Sequence, residues 1–383
     1  MSETVGVLGA GQLGRMLALA GLPLDLRFRF LDPDPAAPAA ATGALLVGAY
    51  DDLERLAELA RGAAAVTWEF ENVPAASAER LQALGSVYPP PLALAVAQDR
   101  LEEKRLFERL QIPCAAYRAV DHPEAVGPAA RAVGLPARLK TRRLGYDGRG
   151  QVVLEHGTDA EGAAALAALG GVPCLVEASV AFDRELSILG VRDGAGGVAV
   201  YPLVENHHAG GVLRLSLAPA PGLSTVLQAS GTALCTRILE ALDYRGVLAV
   251  ECFEVGGRLL ANEIAPRVHN SGHWTVEGAE TSQFENHLRA GLGWPLGSTA
   301  ARGVSAMANC LGVLPDPRAV LAVPGAHLHR YGKAPRAQRK VGHVTVTAED
   351  AAGLRVRLAQ LATMLPLPAA GLGPAPARAG VGA

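Results

Sequence analysis

Two β-rich runs, Val247 to Val255 and Leu259 to Ala265, meet at Gly256-Gly257, a pattern that calls for an antiparallel hairpin. Each run carries a carboxylate in an otherwise apolar stretch, Glu251 in the first and Glu263 in the second. Register decides whether the two meet. A two-residue loop sets Glu251 opposite Asn262, whereas a three-residue loop ending at Arg258 sets it opposite Glu263, and the longer loop is the expectation. Facing carboxylates repel unless a cation lies between them, and oxygen ligands on a rigid hairpin suit Mg²⁺ shared with the phosphates of a nucleotide. A solvated strand face, the plainer reading, fits poorly with the apolar flanks and with the dense polar run from Asn262 to Trp274.

The chain has 383 residues, enough for roughly two or three domains. A net charge of −2 gives no basic face for nucleic acid or anionic membrane, so the expected partners are small molecules. The strand-like Val5 to Leu8 follows the start without a basic-then-apolar leader pattern, and no apolar run approaches membrane-spanning length; the cytoplasm is the expected compartment. Cys114, Cys174, Cys235, Cys252 and Cys310 are odd in number and lack C-x-x-C spacing, which predicts neither disulfides nor a zinc site. Among 35 basic residues only Lys104, Lys140, Lys333 and Lys340 are lysines. Where arginine serves as the general positive charge, a retained lysine marks a place that wants a compact ammonium, and Lys140 and Lys333 stand in polar, glycine-containing surroundings.

Along the chain, strand Val5 to Leu8, helix Gln12 to Ala20, strand Leu26 to Leu31, helix Asp51 to Ala60, strand Ala64 to Trp68 and helix Ala76 to Leu84 alternate as in an α/β unit, which Pro89-Pro90-Pro91 closes. Asp99, with Glu102 three positions on, opens a helix over Leu101 to Leu110 as a capping box. Mixed strands and helices to about Ala290 read as α+β, and Gly303 to Leu365 as strands plus a helix from Glu349 to Leu361. The predicted domains are 1–98, 99–300 and 301–383, the last with a frayed tail.

Gly9-Ala10-Gly11-Gln12-Leu13-Gly14 lies between a strand and a helix, with Asp32 ending the next strand, a spacing that taken alone predicts NAD. Any phosphate-bearing ligand can use such a turn, so Gln12 and Arg15 are equally suited to a phosphorylated substrate. Thr67 to Pro74 places Glu69 and Glu71 at a strand's C-terminal end, where open α/β sheets bind ligands. In Leu139 to Gln151 a strand delivers Lys140, and a basic loop with three glycines follows, able to fold over phosphates with its backbone N–H groups. Glu177 and Glu185, at strand ends, can accept hydrogen bonds from a base's amino group and from ribose hydroxyls. His207 and His208 alternate faces on a strand, so a single imidazole meets a ligand.

Taken together, Lys140 to Gln151, Glu251 and Asn262 to Trp274 resemble the ATP-grasp enzymes, and among them the N5-carboxyaminoimidazole ribonucleotide synthetase family. The resemblance runs from Gly6 to about His343, through Gly9 to Met16, Phe70 to Pro74, Glu205 to Ser216 and Arg339 to His343. Its most specific part is Ala265-Pro266-Arg267-Val268-His269-Asn270-Ser271-Gly272-His273-Trp274. It implies a Rossmann-like pre-ATP-grasp domain, a central ATP-grasp domain, a small C-terminal domain and a homodimer. The implied reaction is the ATP- and bicarbonate-dependent carboxylation of 5-aminoimidazole ribonucleotide through carboxyphosphate, a step of purine biosynthesis with Mg²⁺ as cofactor.

By matching motif, Arg100, Lys140 and His208 would contact phosphates beneath a lid of Gly145, Tyr146, Asp147, Gly148, Arg149 and Gly150. Glu177, Val180 and Glu185 would bind adenosine, with Asn262 also on the nucleotide, and Glu251 and Glu263 would hold Mg²⁺. Gln12, Glu69, Tyr146, Arg149, Lys333 and Arg339 would hold the ribonucleotide. Arg267, Asn270 and His273 would join Lys140 as catalytic residues, with Asp147 or His273 as the base that deprotonates the attacking amine. Two positions depart from the family pattern: Leu144 stands in the lid where glycine is usual, and Arg138 interrupts the strand leading to Lys140. Three other readings are a ligase acting on formate or a different amine, a nucleotide-sensing subunit whose lid no longer closes, and an NAD-linked oxidoreductase.

Overall fold

The structure, a computed structural model, describes residues 2–145 and 150–368. The first unit is a four-stranded parallel sheet in the order Ala44–Val47, Arg27–Asp32, Thr4–Leu8, Ala65–Trp68. Its inner strands are buried along most of their length by the helices Gln12–Gly21, Leu53–Ala60 and Ala75–Leu84, which is why they read as apolar runs. Pro91 does not close the unit: it starts a further helix, Pro91–Ala97, because a proline at the first helical position gives up an N–H that would be unpaired anyway. Asp99 caps the next helix, Arg100–Arg109, by accepting the Leu101 N–H at 3.0 Å. Glu102 does not complete the expected box; it pairs with Arg105 at 2.7 Å instead.

A small antiparallel sheet follows in the order Tyr117–Val120, Cys174–Ala178, Ala137–Thr141, Gln151–Leu154. Helices Pro123–Val133 and Asp159–Ala168 cover one of its faces through Val126, Ala130 and Leu166. The large sheet has nine strands, and the path runs Arg258–Ala265, Gly246–Val255, Arg184–Arg192, Val204–Ala209, Val212–Ala218, Val304–Leu311, Lys340–Ala348, Ala326–Arg330, with Val198–Val200 paired to Arg184–Arg192. The C-terminal strands extend this sheet directly, Leu215 pairing with Ala308. Helix Thr225–Ala241 packs Leu234, Cys235 and Ile238 against Ile188 and Leu248. All five cysteines are free.

The hairpin loop is shorter than expected. Val255 pairs with Arg258, and Gly256 and Gly257 both take left-handed φ (+55° and +74°), the combination a two-residue type I′ turn demands. The missing residue reappears inside the strand. Cys252 pairs with Ala261 while Glu251 pairs with Glu263, so Asn262 is the extra residue of a bulge. The two carboxylates face each other as anticipated, through a bulge rather than through a longer turn.

Candidate active site

A cleft of about 580 Å³ opens between the small sheet and the large one. Arg138, Lys140 and Glu177 line it from the small sheet, Glu185, His208, Glu251 and Glu263 from the large one, and Arg267, His269 and Asn270 from the segment after the hairpin. The strand alternation that aims Lys140 into this space aims Arg138 the same way, so that arginine belongs to the cleft and does not interrupt the strand.

Glu177 holds two ammonium groups at once: Lys140 at 2.5 Å and Lys104 at 2.6 Å. Burial alone would push this carboxyl up; the two lysines overcome it and hold it down to about 2. Glu177 thus anchors two lysines while it also lines the cleft. Across the cleft, burial and the facing Glu263 raise Glu251 above the ordinary carboxylate range. Burial pushes Glu263 up as well, but Arg100, 2.8 Å away, more than offsets this and keeps it below that range. A carboxylate raised by its neighbour is an anionic pair short of a counter-cation, and that is the test Mg²⁺ has to pass: the donors are hard oxygens, in register, on one rigid hairpin. Among the described residues no set of three or more His, Cys, Asp or Glu forms a complete cage, which suits an ion whose remaining ligands are phosphate oxygens and water.

His208 pairs with Glu185; burial lowers its pKa, and the Glu185 hydrogen bond outweighs this and raises it. Arg267 pairs with Glu71, which it holds down to about 2 against burial. Asn270 lines the cleft, and its Oδ1 accepts from Asn309 Nδ2 at 3.0 Å. Gly145, Gly150, Val180 and Asn262 also line it. Tyr146, Asp147, Gly148 and Arg149 lie outside the described residues. Leu144 has φ +62°, the left-handed value that glycine takes without cost.

His273 does not reach the cleft. A single 3-10 turn, Asn270–Gly272, carries the chain inward against Leu189, and His273 ends fully buried, its ring 4.7 Å from that of His343. Burial holds it well below the usual imidazole range, and with no surface toward the cleft it is not placed to take a proton from a substrate there. The imidazole that faces the carboxylates is His269, with Nε2 3.4 Å from Glu251.

The glycine turn is not a pyrophosphate site either. Glu69 accepts from the N–H groups of Gly11 (2.5 Å) and Gly14 (2.7 Å), placing an internal carboxylate where a ligand phosphate would sit. Asp32 is spent on the Ala10 N–H at 2.8 Å and the Tyr50 hydroxyl at 2.9 Å, which removes the ribose partner that the NAD reading needs. Glu69 therefore shapes the turn. Gln12 accepts from Lys333, and burial, opposed by nearby Glu69, brings that lysine down to about 8. Arg339 is a further positive neighbour of Lys333.

Sequence reasoning missed the roles of Lys104, Glu103, His269 and Lys340, and it gave Glu71 a place at the strand end but no partner. Lysine scarcity was the available signal for two of them: Lys104 is bonded to Glu177 and Lys340 lines the cleft, so all four lysines belong to this region. His269 and Glu71 lay within motifs already noted, and only the turn at Asn270 decides which histidine points where.

Two sheets closing on a cleft, one bearing the lysine and the other a carboxylate hairpin, define an ATP-grasp ligase. A family model described as the ATP-grasp domain matches residues 105–284, one described as the ribonucleotide synthetase preATP-grasp domain matches 1–98, and one described as the phosphoribosylaminoimidazole carboxylase C-terminal domain matches 305–357. The N5-carboxyaminoimidazole ribonucleotide synthase of Pseudomonas aeruginosa is 51% identical over 361 residues, covering 94% of this chain and 99% of its own. The crystal structure of N5-carboxyaminoimidazole ribonucleotide synthetase from Thermus thermophilus is similar at a TM-score of 0.90 and 56% identity, over 94% of this chain and 98% of that one. The Aspergillus clavatus enzyme in complex with ADP and 5-aminoimidazole ribonucleotide gives 0.87 and 31% identity over 94% and 98%. The chain belongs to the N5-carboxyaminoimidazole ribonucleotide synthase family.

Proposed function

We propose that this chain joins bicarbonate to the exocyclic amine of 5-aminoimidazole ribonucleotide, with ATP cleaved to ADP and phosphate. Bicarbonate is a poor electrophile. Its oxygen attacks the γ-phosphorus, ADP leaves, and the resulting carboxyphosphate carries phosphate as a leaving group when the amine attacks its carbon. Phosphoryl transfer asks a protein for positioning and charge neutralisation more than for covalent help. Lys140, Arg100 and His208 meet the phosphates, and Arg267, Asn270 and His269 line the bicarbonate end. Glu177, Glu185, Val180 and Asn262 hold the nucleotide. Gln12, Lys333 and Arg339, with Glu69 fixing the turn beneath them, hold the ribonucleotide, and Gly145 and Gly150 flank the lid that keeps water from carboxyphosphate. Glu251 and Glu263 would hold Mg²⁺, which when bound neutralises phosphate charge.

The observation that carries this reading is the Glu251–Glu263 facing in the same cleft as Lys140. We assign the domains to 1–98, 99–300 and 301–383, the assembly to a homodimer on the family resemblance, and the compartment to the cytoplasm; no helix among the described residues is long and apolar enough to cross a membrane. Incubation with ATP, Mg²⁺, labelled bicarbonate and 5-aminoimidazole ribonucleotide should give labelled carbamate and ADP in equal amounts. ADP release that needs formate in place of bicarbonate, or that ignores the ribonucleotide, would reject the assignment.

A further inference from the structure

The bulge at Asn262 decides which way Glu263 points. With the two-residue turn and an unbroken ladder, Glu251 would pair with Asn262 and Glu263 with Val250, and a one-residue slip turns a side chain to the opposite face. Glu263 would then enter the apolar side of the sheet, and Glu251 would stand alone.

Four consecutive residues at the bulge are gripped from a single stretch of chain. The Ala261 N–H donates to the Pro113 carbonyl at 2.8 Å, and the Asn262 carbonyl accepts from Lys104 Nζ at 3.0 Å. Arg100 reaches the Glu263 carboxylate at 2.8 Å, and the Ile264 N–H donates to Glu103 Oε1 at 2.6 Å. Arg100, Glu103 and Lys104 stand at i, i+3 and i+4 of one helix and so share a face. Glu103 and Lys104 are each 2% exposed, so these are buried contacts and not surface pairs. Lys104 also binds Glu177, which in turn binds Lys140, so one lysine ties the hairpin to the small sheet.

We propose that Glu103 and Lys104 are positioning residues that hold the Asn262 bulge open and thereby keep Glu263 facing Glu251 across the divalent-cation position. The proposal rests on the reading of that carboxylate pair as the cation's ligands. Glu103 meets the bulge through one acceptor, its Oε1 on the Ile264 N–H. A glutamine reproduces that acceptor; a leucine does not.

The test is Mn²⁺ binding, followed by electron paramagnetic resonance in the presence of a non-hydrolysable ATP analogue, on full-length protein. Glu103→Leu should weaken Mn²⁺ affinity about 10- to 100-fold, the usual effect of losing a partner that orients a metal ligand, while Glu103→Gln stays within about threefold. Affinity for ADP in EDTA should hold in both variants, a split that general destabilisation would not produce. Lys104→Met reads the same bulge from the Asn262 side and should weaken Mn²⁺ as Glu103→Leu does. Wild-type Mn²⁺ affinity in either folded variant, or equal loss of Mn²⁺ and ADP, overturns the proposal. Metal binding is read without carboxylation, so a protein that forms no carbamate yet shows the expected Mn²⁺ losses rejects the reaction and leaves the clamp standing.

Discussion

Lys140 and Glu177 lie on adjacent antiparallel strands of the small sheet and meet at 2.5 Å, with Lys104 on the other oxygen of the same carboxylate. One buried anion thus serves two buried cations. Removing its charge leaves both ammonium groups uncompensated, a change that typically costs about 3–5 kcal/mol. Glu177→Gln should lose that much in urea unfolding and should release Lys140 from its fixed aim. A loss below about 1 kcal/mol would show that the triad is not what holds this region.

Lys140 and the carboxylate pair should each matter to turnover far more than to folding. Losing one pre-set charge partner of a transferring phosphoryl group costs on the order of 10²–10³ in turnover. Lys140→Met and Glu251→Gln should both fall in that range when ADP release is followed at saturating ATP. Retention of more than about a third of the wild-type rate in either would remove that residue from the phosphoryl-transfer machinery.

Metal affinity should depend on pH with a definite sign. Burial and Glu263 raise Glu251, so acid returns a proton to the very oxygens that a cation needs. Binding of Mn²⁺ should therefore weaken as pH is lowered from about 8 to about 6, by up to tenfold per unit. A flat profile would mean that Glu251 is already fully ionised without metal.

Lys333 gives the opposite limb. Its folded value, about 8, lies below the ordinary 10.5, so the folded chain carries fewer protons than the unfolded one between those two pH values, and this group's contribution to stability rises across that window. Its charge, however, disappears above about 8. The KM for the ribonucleotide should climb there while kcat changes little, and Lys333→Arg, charged throughout, should flatten the climb. An unchanged climb in the arginine variant would place the titrating group elsewhere.

Leu144 is 74% exposed at φ +62°, so it gains no packing for its strain. The left-handed conformation costs a leucine roughly 1–2 kcal/mol, and glycine's extra unfolded-state freedom returns roughly 0.5–1 of that. Leu144→Gly should thus stabilise the chain by about 0.5–1 kcal/mol in chemical denaturation. A loss of stability would show that the side chain makes contacts that offset the strain.

Local patterns were readable wherever a single segment held the whole answer. The alternation of the first unit, the Asp99 cap, the existence of a hairpin at Gly256-Gly257 (though not the length of its turn) and the strand delivering Lys140 all follow from neighbours in sequence. What stayed hidden depends on distant partners. Nothing local to Glu177 says that it also anchors Lys104, more than 70 positions away, and nothing local to Glu69 says that Gly11 and Gly14 would claim it. The bulge shows the same limit in reverse: the carboxylates were matched correctly, while the residue that shifts the register was placed in the turn, since loop and bulge absorb one extra residue equally well on paper. His273 was misread for want of one turn at Asn270.

Because Leu215 pairs with Ala308 in the sheet that also carries Glu251, the C-terminal strands are part of the anvil and not an appended module. Lys333, on the segment between two of those strands, is carried by the same sheet as the acidic hairpin. A chain cut before Val304 would bare the edge of Val212–Ala218 and would forfeit this alignment together with the last strands.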